Sequence, residues 1–68
     1  MTAFDPYEYS ITIRRVEPTM FEATIAELPD VAEYASRWKT AYELAIDTLM
    51  LTKAALGDSM PQPVYTCQ

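Results

Sequence analysis

The chain has 68 residues, half of them hydrophobic, with one glycine, no histidine and a single cysteine, Cys67. At that length it is one domain, residues 1–68, with a thin core, since only about 60% of the surface of the unfolded chain can be buried. Ten acidic against five basic residues, a net charge of −5, disfavour direct binding of DNA or RNA and suit equally a basic protein partner or ordinary acidic solubility.

One cysteine allows neither an intrachain disulfide nor a cysteine zinc cluster. The start, "MTAFDPYEYS", lacks a basic segment followed by an apolar run, and no window reaches the roughly 20 apolar residues of a membrane span. A cytoplasmic protein without membrane contact is expected. Small domains often gain stability by pairing with a second chain, so a homodimer is expected too.

Along residues 7–16, Tyr7, Tyr9, Ile11 and Ile13 alternate with Glu8, Ser10, Thr12 and Arg14, the period of a strand with one wet face. Residues 17–19, with Pro18, break the run. A second alternation follows, Phe21, Ala23 and Ile25 against Glu22, Thr24 and Ala26, which predicts a β-hairpin with both apolar faces on one side. Pro29-Asp30 is expected to end that strand at a corner, and residues 31–35, with Val31, Glu33 and Ala35 on one face, to form a third strand.

Ser36 is a good helix N-cap residue, with Arg37 to Lys39 as the first turn. A start at Thr40 competes, because "TAYE" matches a capping box. The earlier start places Trp38, Ala41, Tyr42, Ala45, Leu49, Thr52 and Leu56 on one face and turns Lys39, Glu43, Asp47 and Ala54 away. Leu44, Leu51 and Ala55 widen the apolar sector and are candidates for self-association. Gly57 falls where a helix C-cap takes a left-handed residue. Residues 64–66 have the character of a short edge strand. The sum is an α+β domain, a small antiparallel three-stranded sheet with a fourth edge strand as an option, packed against one helix in the order β-β-β-α(-β).

Catalytic chemistry has little to build on. Without histidine the commonest general base and metal ligand is missing, and one glycine cannot make a phosphate-binding loop. Asp30 with Glu33, or Glu22 with Glu27, are the carboxylate pairs able to share magnesium, but solvated surface charge is the ordinary explanation for each. No catalytic residue, metal or cofactor is expected. The tyrosines and Trp38 take core-facing positions in this reading and are not taken as base-stacking platforms.

Residues 21–63 resemble the N-terminal domain of HicB-type antitoxins. The matching pieces are "FEATIAELPDV", then Tyr34, then Ala41 and Ala45 four residues apart, then "GDSMPQP". Members often carry Gly-Asp-Thr before the helix, where this chain has Ala35, Ser36 and Arg37, and an acidic pair where it has Lys39 and Thr40. Members also usually append a DNA-binding domain with no counterpart in this sequence, so operator binding is not expected.

The resemblance implies a partially degraded RNase H-like fold that neutralises a small basic ribonuclease, the HicA toxin, by covering its RNA-binding surface. Glu22, Glu27, Asp30 and Glu33 would then bind the partner by mimicking phosphates, which adds steering and specificity. Three rivals accompany that reading. One is an acidic, phage-encoded inhibitor of another nuclease complex, and one is an assembly domain whose only task is to dimerise. The third is a remnant carboxylate nuclease, for which the first strand offers only Glu8.

Overall fold

The computed structural model describes residues 4–63, so the edge strand expected at 64–66 and Cys67 lie outside the described residues. Three antiparallel strands, β1 (Ile11–Glu17), β2 (Met20–Ile25) and β3 (Leu28–Ala35), form a sheet in the order β1-β2-β3. One helix, α1 (Trp38–Leu56), follows and packs across one face, meeting β2 most extensively. The α+β reading and the β-β-β-α order agree with this architecture. No helix among the described residues is long and apolar enough to cross a membrane.

Both hairpins turn in two residues without glycine. The usual two-residue turns need positive φ, yet Pro18 holds φ near −65° and no non-glycine residue among the described residues has positive φ. The mismatch is absorbed by a bulge: Arg15 pairs with Phe21 and Glu17 with Met20, leaving Val16 over.

The second reversal differs from expectation. The chain turns at Ala26-Glu27, and Pro29 and Asp30 lie inside β3. Thr24 pairs with Ala32 but Ile25 pairs with Leu28, so residues 29–31 bulge out of the ladder. A proline cannot donate to a ladder, and a bulge in an edge strand removes that demand.

The N-terminal run also departs from expectation. Pro6–Glu8 form a single 3₁₀ turn, so β1 begins at Ile11 and not at Tyr7. Asp5 caps the turn by accepting the Tyr7 N–H at 2.9 Å, and proline directly after a capping Asp suits a helical start. Tyr9 therefore enters the core while Tyr7 stays outside.

Tyr9, Ala23, Ile25, Ala41, Ala45, Ile46, Leu49 and Met60 make the core. Ala23, Ala41 and Ala45 are fully buried small residues, which lets the helix settle close to the central strand. Trp38 and Leu56, expected to face inward, remain 58% and 45% exposed. Exposure at these two terminal positions of the helix shows that its buried stripe is confined to Ala41, Ala45, Ile46 and Leu49. Arg37, one residue after the expected Ser36, is the N-cap, without a side-chain hydrogen bond. Gly57 closes the helix at φ 58° and ψ −124°, a combination open to glycine.

The Tyr9 hydroxyl donates to the Pro61 carbonyl at 2.5 Å, tying the two ends of the described chain together. Burial raises its pKa above the ordinary tyrosine value, and the nearby carboxylates of Glu27 and Glu8 add to the shift. A raised folded-state pKa stabilises fully below the unfolded value of about 10 and is lost as pH rises through the folded value. Urea unfolding at successive alkaline pH values is expected to show stability falling above about pH 10, with a shallower fall in Tyr9→Phe. Equal slopes in the two proteins would contradict this.

Candidate partner-binding surface

The four acidic residues expected to meet a partner do not share one surface. Glu22 lies on the open face of the sheet, where strand register lines it up with Arg14 and Tyr34. It accepts from Arg14 Nε at 2.9 Å and from the Tyr34 hydroxyl at 2.8 Å. These bonds, Arg14 first, hold its pKa below the ordinary glutamate value, and the bond to Glu22 raises that of Tyr34.

Glu33 points to the opposite face, toward the helix, and accepts from Thr48 Oγ1 at 2.5 Å. Glu27 is buried in the second turn, where its carboxylate accepts the Ser10 N–H at 3.0 Å and the Ser10 hydroxyl at 3.3 Å. Lysine at position 27 would place an ammonium where a buried acceptor is needed, so reversing that charge would disturb folding. Asp30 alone of the four is exposed with no hydrogen bond or ion pair among the described residues.

Of the carboxylates weighed for magnesium, Glu22 is bonded to Arg14 and Tyr34, Glu27 to Ser10 and Glu33 to Thr48. Among the described residues, no group of three or more His, Cys, Asp or Glu is placed to hold a metal ion. The self-association candidates are on the helix face turned from the sheet: Leu51 is 72% exposed, Ala55 is exposed and Leu44 is half-buried.

A different set of residues does converge. Trp38, Tyr42 and Ile46 follow one another at four-residue spacing, so they form a stripe along one side of α1. Lys39, Glu43 and Asp47 form the neighbouring stripe. Together with Tyr7 these six residues line an open groove. The Trp38 ring stands at 85° to Tyr42 with centroids 6.2 Å apart, making a corner. Tyr7 stacks on Tyr42 at 6.4 Å and 30°, positioned there by the Asp5-Pro6 turn.

On its other side Trp38 borders a smaller hollow lined by Ile13, Arg15 and Phe21, where the Arg15 guanidinium sits 5.5 Å from the Phe21 ring centroid. Trp38 is thus a ridge between two hollows. Half-exposed Trp and Tyr beside Arg is the composition that concentrates binding energy in protein interfaces. Reasoning from sequence assigned these aromatics to the core, and Tyr42 does pack against it, while Tyr7 and Trp38 stay exposed; "DP" at 5–6, a helix-start signal ahead of Tyr7, was the available clue that Tyr7 leaves the strand pattern.

Compared with protein-family models, with curated proteins and with solved structures, the chain has no significant match.

Proposed function

We propose that this protein is a non-catalytic inhibitor of the HicB antitoxin kind, which acts in the cytoplasm by binding a small basic ribonuclease and covering its RNA-binding surface. The observation that carries the proposal is the open aromatic groove at the start of α1, rimmed by Glu43 and Asp47, on a chain of net charge −5. Aromatic side chains supply contact area at low entropic cost. The acidic excess accelerates encounter with a basic partner and disfavours RNA itself. The β-β-β-α order is also the order the HicB resemblance calls for.

Relative to the sequence-based expectation, the proposed contact surface moves. Glu22, Glu27 and Glu33 are engaged within the fold, so Asp30 contributes long-range charge and the groove supplies the contact.

The test is capture from host lysate on the tagged protein with low-salt and high-salt washes, followed by an RNA-cleavage assay on what is captured. A small basic ribonuclease, released by salt and silenced by stoichiometric inhibitor, is the expected result. Capture of a large nucleoprotein complex in its place would move the assignment to an inhibitor of another nuclease. A captured ribonuclease whose cleavage is unaffected would overturn the proposal.

A further inference from the structure

We propose that the groove between Tyr7, Trp38 and Tyr42 seats an arginine side chain of the protein partner, with its guanidinium against the rings and its N–H groups directed to Glu43 and Asp47. The inference rests on the preceding reading that the partner is a basic protein.

Three features of the groove argue for arginine. Its lining holds three aromatic rings, Trp38 and Tyr42 meeting edge-on at 85° and Tyr7 stacked on Tyr42, and aromatic rings attract cations. Its rim carries two carboxylates, Glu43 and Asp47, neither with a hydrogen bond or ion pair among the described residues. Standing one helical turn apart, those like charges repel each other, and a shared cation relieves the repulsion. A planar, weakly hydrated guanidinium satisfies ring and carboxylate together, whereas a compact, strongly hydrated ammonium serves mainly the carboxylates.

Lys39 lines the same groove, one turn before Glu43. Its charge repels a cation at that end and directs the guanidinium toward Glu43 and Asp47. A nucleobase stacked on Trp38 is the weaker alternative, because its phosphates would approach the two carboxylates.

Trp38 is the only tryptophan in the chain, so its fluorescence reports directly on the groove. The probe is a capped Gly/Arg peptide, compared with the same peptide carrying citrulline, which keeps the planar shape and loses the charge. A saturable change in emission is expected with the arginine peptide and none with the citrulline one. The double variant Glu43→Gln, Asp47→Asn is expected to weaken binding about fivefold, and Lys39→Gln to tighten it about twofold. The control Asp58→Asn removes a charge from the turn after the helix, outside the groove, and is expected to change affinity less than about twofold.

Four results would overturn the inference: an equal response to citrulline, equal weakening by the remote control, a response to single-stranded oligonucleotide alone, or emission that changes with protein concentration and not with peptide, the mark of a second copy in the groove. The two proposals fail separately. Peptide binding in the groove without any ribonuclease being inhibited removes only the antitoxin reading. Inhibition of a basic ribonuclease that is indifferent to Glu43→Gln, Asp47→Asn removes only the arginine site.

Discussion

Leu49→Ala is expected to lower the unfolding free energy by about 3–5 kcal/mol. Leu49 is fully buried, and with Ile25 it is one of the two largest side chains so enclosed. The helix carries it onto a sheet that has three strands among the described residues, so few neighbours are available to collapse into the space left behind. A domain of this size has a total stability of roughly 3–10 kcal/mol, which makes the loss comparable with the whole.

Urea denaturation followed by circular dichroism measures the effect. Leu51→Ala, the same chemical change two residues on at a side chain 72% exposed, is expected to shift stability by less than about 0.5 kcal/mol. Similar midpoints for the two variants would mean that the helix is rotated relative to the sheet from the orientation described.

Trp38→Ala is expected to weaken binding of the captured ribonuclease about 30-fold, the scale of an interface hot spot. Two hollows meet at this side chain, and truncation removes a wall from both. Because the ring is 58% exposed, the fold should survive, and the thermal midpoint separates lost binding from lost structure. Met50→Ala is the matched control, being 54% exposed and absent from either hollow. Titration calorimetry showing equal losses for both variants would assign the interface elsewhere, as would unchanged affinity in Trp38→Ala.

Much of the fold was legible because local chemistry and tertiary structure agree. Phe21, Ala23 and Ile25 alternate and do face the helix; Val31, Glu33 and Ala35 share a half-buried face; Ala41, Ala45 and Leu49 repeat at helical spacing and are buried. In each case the period in sequence equals the period of the backbone that buries it. Gly57 likewise marks the helix end, because a backbone of positive φ favours glycine.

The failures share a cause in competing local signals. Tyr7 and Tyr9 continue the alternation of Ile11 and Ile13, yet Asp5-Pro6 imposes a 3₁₀ turn that sends one tyrosine in and the other out. Pro29-Asp30 has the composition of a corner, but in an edge strand the same residues are accommodated as a bulge.

By itself, then, the sequence determined the β-β-β-α order of the described elements, the sign of the charge and most of the core, all of which follow from periodicity and composition. Only the tertiary structure decided which charges are available. Strand register joins Glu22 to Arg14 and Tyr34, helix docking joins Glu33 to Thr48, and the tight second turn buries Glu27 against Ser10. It also decided that Tyr7, Trp38 and Tyr42 stand together. The physical reason is that the helical period alone sets Trp38 beside Tyr42, whereas Tyr7 with Tyr42, Glu33 with Thr48 and Glu27 with Ser10 belong to separate elements and meet only when those elements pack together, a juxtaposition no local period encodes.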